Sequence, residues 1–163
     1  MNLCKWVWVA ASRFAQNLKV AYNFPDNTDR TQLKTGGMKK MKRVAVVDDN
    51  RDIFGNLEDM VVELEIEGVS LFYFPGGTEI LEALKEGESF DLILMDGKLS
   101  DGYTGPKYAE QIIRDYPGIM VAGFTDATDL LLSFREKGVQ HFLSKVGVGR
   151  RTRAEELKTL LGI

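Results

Sequence analysis

The chain has 163 residues and a mass of 18.3 kDa, with 44% hydrophobic and 28% charged residues, the composition of one soluble domain long enough to bury its own core. Its single cysteine, Cys4, excludes an intramolecular disulfide, a CxxC redox pair and a thiolate zinc cluster; its single histidine, His141, excludes HExxH chemistry and multi-histidine metal sites, so any metal must be held mainly by oxygen. The net charge of -3 is uneven: residues 1–42 carry eight Lys/Arg against two Asp (+6) and residues 43–163 thirteen against twenty-two acids (-9), which makes the larger part a poor match for nucleic-acid phosphates.

The stretch Lys5-Trp6-Val7-Trp8-Val9-Ala10-Ala11 is apolar behind a basic residue, yet it breaks at Ser12-Arg13 without a small-residue cleavage pattern. It is far shorter than the roughly 18 apolar residues of a membrane span. Read as a helix, Val7 to Ala21 is amphipathic and could dock on a partner or a membrane surface. Loop chemistry follows in Asn23-Phe24-Pro25-Asp26-Asn27 and Gly36-Gly37. Residues 1–41 are therefore expected to be an N-terminal extension, disordered or foreign to the domain, and residues 42–163 the functional domain. With no span and so few cysteines, a cytoplasmic protein is expected.

From Arg43 onward, strand and helix signals alternate five times. Val44 to Val47 is a continuous apolar, β-branched run, as in a strand covered on both faces, and it stops at Asp48-Asp49-Asn50. Ile53, Leu57, Val61 and Leu64 recur at helical spacing, which predicts a helix from about Arg51 to Glu65 that ends near Gly68. Val69 to Phe74 reads as the second strand. After Pro75-Gly76-Gly77, a short helix shows Ile80, Leu81 and Leu84, and Leu92 to Met95 is a third strand that stops at Asp96. Pro106 opens a helix with Ala109, Ile112 and Ile113 inward. Ile119 to Phe124 is a fourth strand, Leu130, Leu131 and Phe134 mark a short fourth helix, and Gln140 to Ser144 is the fifth strand. Thr152-Arg153-Ala154-Glu155 has the spacing of a capping box ahead of Leu157, Leu160 and Leu161, with Gly162 as the C-terminal stop.

Five βα units with short connections imply an α/β domain: a doubly wound parallel sheet with helices on both faces and right-handed crossovers. Ligands of such sheets sit at the carboxyl ends of the strands. Those ends carry Asp48 and Asp49, Asp96, Thr125 and Lys145. If the acid-bearing strands are neighbours, three carboxylates converge, and either their pKa values rise or a cation sits among them. Clustered carboxylates suit a hard divalent ion, Mg²⁺ when a phosphoryl group is bound as well. Lys145 and Thr125 fit as donors to phosphoryl oxygens, and an aspartate so supported is a competent nucleophile towards phosphorus.

As a set, these residues resemble the receiver domain of two-component response regulators, of the single-domain chemotaxis type. The resemblance covers about Lys42 to Ile163 and rests on the acidic pair, on Asp-Leu-Ile-Leu-Met-Asp ending at Asp96, and on Thr125 and Lys145. It implies a flavodoxin-like five-stranded sheet in the order 2-1-3-4-5. It also implies that Asp96 accepts a phosphoryl group from a histidine kinase or histidine phosphotransfer protein, and that Asp96, Lys145 and Thr125 carry the chemistry. Mg²⁺ would be held by Asp49, Asp96 and the main-chain carbonyl of Lys98, with Asp48 acting through water. Thr125 and Phe142 would form the switch that reports phosphorylation to a downstream protein. The fourth helix, fifth strand and fifth helix would carry partner contacts, a homodimer among them. Such a domain catalyses only its own phosphorylation and dephosphorylation. With the chain ending after its fifth helix, a stand-alone receiver without nucleic-acid contact or membrane span is expected.

Departures from the family pattern are specific. Leu99-Ser100 replace Met-Pro after the phosphoacceptor, and Gly105 falls one residue later than the usual glycine, which lengthens that loop. Asp126 replaces a small residue after Thr125, where its charge would either slow phosphorylation or point to solvent. Val146 replaces the proline after Lys145, removing the usual reason for a cis peptide there. These departures keep a second reading in view, a degenerate receiver serving only as an interaction module. A third, an aspartyl-phosphate hydrolase, needs an acid two residues after the nucleophile, where Lys98 stands.

Overall fold

A computed structural model describes residues 41–100 and 104–163. The expected extension over residues 1–41 lies, apart from Met41, outside the described residues. The strands are β1 (Lys42–Val47), β2 (Val69–Phe74), β3 (Leu92–Asp96), β4 (Met120–Phe124) and β5 (His141–Leu143). The helices between and after them are α1 (Arg51–Glu63), α2 (Gly77–Lys85), α3 (Gly105–Asp115), α4 (Thr128–Glu136) and α5 (Arg150–Leu161). All pairings are parallel, in the order β2-β1-β3-β4-β5. β1 and β3 are neighbours with Val47 opposite Met95, so Asp48 and Asp96 emerge side by side.

Period-two alternation divides the central strands between two cores. Val44, Val46, Leu92, Leu94, Ala122 and Phe124 meet Phe54, Leu57 and Met60 of α1 and Ala154, Leu157 and Leu161 of α5. Ala45, Val47, Ile93, Met95 and Val121 face the other way, onto α2, α3 and Phe134 of α4. Covering both faces is what makes the runs in β1, β3 and β4 continuously apolar. Each buried large side chain contributes on the order of 1.5–3 kcal/mol. Edge strand β2 is only half-buried along its length. No helix among the described residues is long and apolar enough to cross a membrane.

Two local expectations are corrected. The capping box does not form: α5 starts at Arg150 behind Gly149, so Thr152 already lies inside the helix and Glu155 pairs with Lys158. The first turn is fixed instead by side chains reaching out of it, Arg150 to Glu63 of α1 and Arg153 to the preceding loop. The first helix stops two residues short of Glu65, which itself takes a left-handed φ of 48°. The fourth helix is short as expected, nine residues, and all peptide bonds among the described residues are trans, that before Val146 included.

Candidate functional site

The carboxyl ends of β1, β3, β4 and the segment after β5 assemble one acidic site. Asp48 is fully buried, and its Oδ1 accepts the Asn50 amide at 3.0 Å. Asn50 in turn caps α1 by accepting the Asp52 amide, so the acidic pair is held by the turn that starts the helix. Asp49 is exposed and has no ion-pair partner among the described residues. Asp96 is 6% exposed at the end of β3. Carboxylate oxygens of Asp48, Asp49 and Asp96 all lie within 4.8 Å of one another.

Lys145 reaches into this cluster. Its Nζ stands 2.7 Å from Asp48 Oδ2 and 2.7 Å from Asp96 Oδ1, and it lies 5.6 Å from the ring centre of the buried Phe124. Burial raises the Asp48 pKa; hydrogen bonding from Lys145 and from the Asn50 backbone, and the lysine's charge, only partly counter it, while the charge of Asp96 adds to the rise. Both remedies for crowded carboxylates thus operate together, a neighbouring cation and a raised pKa. Asp48 Oδ2 is closed to solvent, and the Lys145 ammonium at 2.7 Å is its close charge partner. A buried carboxylate whose burial is only partly offset, in an all-oxygen cluster with the exposed Asp49, fits a hard divalent ion.

Thr125, 7% exposed, follows β4 directly, and its Oγ1 accepts the Ala127 amide at 3.2 Å, leaving the hydroxyl proton to donate. Phe142 of β5 pairs in register with Gly123, stacks edge-on to Phe134 at 6.4 Å and carries the Arg135 guanidinium 5.5 Å over its ring. Any side chain at position 123 would press on it, with a Cβ 2.9 Å from Phe142 Cδ1. Lys98 lies two residues past Asp96, where it bridges to Thr104 and closes the base of the lengthened loop. Gly105 starts α3 directly against the site: a Cβ there would stand 1.6 Å from the Asp96 carbonyl oxygen. Only glycine fits that approach.

Asp126 is exposed, and its carboxylate is also engaged by hydrogen bonds. Its carboxylate turns to the segment after β5, accepting hydrogen bonds from Ser144 Oγ, from the Val146 amide at 2.7 Å and from the Gly147 amide at 3.3 Å. Burial pushes its pKa up, but these donors and the charge of Arg153 outweigh that and hold it below the ordinary carboxylate range. Neither the spacing nor the residue type announced these contacts, which span 18 to 21 residues.

The fold and site together define a flavodoxin-like α/β domain with an acidic, lysine-bridged centre at the carboxyl ends of its strands. The chain belongs to the response regulator receiver domain family, whose model matches residues 44–154. Solved structures agree. A CheY-like response regulator receiver domain protein from Methanospirillum hungatei is 25% identical with a TM-score of 0.64, covering 76% of this chain and 95% of that one. The receiver domain of an HD domain-containing protein from Pseudomonas fluorescens is 20% identical with a TM-score of 0.66, covering 80% and 93%. The response regulator DrrB of Thermotoga maritima is 22% identical with a TM-score of 0.61, covering 75% of this chain and 53% of that one. No curated protein matches the chain significantly.

Proposed function

We propose that this receiver is a working phosphoacceptor: Asp96 takes a phosphoryl group from a histidine kinase or histidine phosphotransfer protein and signals by phosphorylation-dependent protein contacts or by passing the group on. The observation that carries this reading is Lys145 Nζ at 2.7 Å from both Asp48 and Asp96, inside a cluster of three carboxylates. An Asp96 oxygen forms the new bond to phosphorus, the bond from phosphorus to the donor imidazole breaks, and the imidazole takes up a proton. Asp49, Asp96 and the Lys98 carbonyl, with Asp48 through water, would hold Mg²⁺, whose charge when bound offsets that of the phosphoryl oxygens. The Lys145 ammonium orients the group and balances its charge, and the Thr125 hydroxyl donates to it.

Movement of Thr125 to the phosphoryl group then shifts the population between two packings of Phe142, altering the α4, β5 and α5 surface where partners or a second copy would bind. Asp126 no longer favours a receiver without chemistry, because its charge is engaged by the loop after β5. Lys98, standing two residues after Asp96, offers no acid for a hydrolase.

The test is incubation with Mg²⁺ and acetyl phosphate, read by intact mass. One phosphoryl adduct, absent in Asp96→Asn and absent with chelator, is expected. No adduct would overturn the reading in favour of an interaction module, and sustained release of phosphate from an organophosphate would favour a hydrolase.

A further inference from the structure

Lys145 is not held by the sheet. β5 ends at Leu143, so the residue that must place an ammonium between two carboxylates sits beyond the last strand residue, in a segment running to Gly149 before α5 begins. Its position has to come from side chains. Two supply it. Asp126 accepts from Ser144 Oγ and Val146 N, the residues on either side of Lys145, and from Gly147 N. From the other direction Arg153, only 8% exposed, donates Nε to the Ser144 carbonyl at 2.8 Å and Nη2 to the Val148 carbonyl at 3.3 Å. The segment is closed further by Gly147 N donating to Ser144 Oγ at 3.1 Å. A Cβ at Gly147 would come within 3.1 Å of Asp126 Oδ1 and 3.2 Å of Ser144 Oγ, so a side chain there would press on the carboxylate and its hydroxyl donor.

We propose that Asp126 is a positioning residue for phosphoryl transfer: its carboxylate holds the residues on both sides of Lys145, Ser144 by its hydroxyl and Val146 by its backbone amide, and so aims the ammonium at Asp48 and Asp96. The inference rests on the phosphoacceptor reading of Asp96. The negative charge of Asp126 faces three donors and a buried guanidinium, so it assists the chemistry where a free carboxylate beside a phosphoryl group would oppose it.

The test uses the full chain with acetyl phosphate at saturating Mg²⁺, comparing wild type, Asp126→Ala and Asp126→Asn, each also combined with Lys145→Ala, with the Mg²⁺ dissociation constant measured in parallel. Loss of aim by a fraction of an ångström to an ångström is expected to slow modification of Asp96 by about 10- to 100-fold in Asp126→Ala. Mg²⁺ affinity should not change, because Asp48, Asp49 and Asp96 are untouched. Asp126→Asn keeps one acceptor oxygen and should recover part of the rate, and it serves as the folded comparison if the alanine variant is unstable. Once Lys145 is Ala, removing Asp126 should cost nothing further. A full rate in both Asp126 variants, or the same fold loss with and without Lys145, overturns the inference alone. A wild-type chain that takes no phosphoryl group overturns the functional reading and the inference with it.

Discussion

At the scale of the residue, Asp48 shows the conflict between stability and function most directly. It is a fully buried carboxylate whose pKa is raised chiefly by burial. Ionising it therefore costs more in the folded chain than in the unfolded one. Its contribution to stability falls as pH rises from the ordinary carboxylate range through the raised folded value, and stays low above it. Asp48→Asn removes that cost while Lys145 keeps Asp96 as a partner, so the metal-free variant should be more stable than wild type by about 1 kcal/mol at neutral pH. Urea denaturation between about pH 4 and pH 7 checks the sign, because the advantage of the variant must widen as pH rises. Asp126 has the opposite sign: its folded pKa is lowered, so its stabilisation is complete above the ordinary range and is lost only as pH falls through the depressed value. The candidate site residues Asp48, Asp49, Asp96, Thr125 and Lys145 can be picked out in the sequence because each follows a recognisable strand run. The contacts of Asp126 were not, since they depend on two loops meeting across 18 to 21 residues.

At the scale of the element, the junction of β3 and α3 sets the tightest demand. Gly105 opens α3 where a Cβ would overlap the carbonyl of Asp96, and Gly97 lies under Leu130 of α4, whose Cδ1 would be 2.5 Å from a Cβ there. The obstacle at Gly105 is backbone, which cannot rotate away, whereas at Gly97 it is a side chain that can. Gly105→Ala is thus expected to lower stability by about 3 kcal/mol and to slow phosphorylation, while Gly97→Ala should be tolerated with a smaller loss; urea denaturation ranks the two. The helices and strands were readable in order from period and punctuation, and their boundaries held closely in the central strands, where burial on both faces leaves one solution. The start of α5 did not follow its capping signal. Arg150 and Arg153 find partners on α1 and in the preceding segment, and such tertiary pairs lie outside what a four-residue spacing encodes.

At the scale of the whole molecule, the site exists only when four separate βα units are in register, so a ligand that gathers the carboxylates should stabilise the entire fold. Mg²⁺ at ten times its dissociation constant is expected to add about 1.4 kcal/mol to unfolding, seen as a higher Tm, with most of the gain lost in Asp49→Asn. Every described contact of the two cores lies within residues 44–161. The expectation that residues 1–41 are foreign to the domain is tested by a chain that starts at Met38, which on that reading folds and accepts phosphoryl as the full chain does, measured by denaturation and intact mass.

The carboxylate of Asp126 also has a consequence for how this protein diverges over time. Ser144, Gly147 and Arg153 are shaped around it: one donates to it, one leaves it room, and one holds the same loop from behind. Replacing Asp126 or Arg153 alone removes hydrogen bonds from the loop, and a side chain at Gly147 crowds the carboxylate. They should therefore be inherited as a block, kept together or exchanged together among descendants, while the aspartates of the site persist regardless.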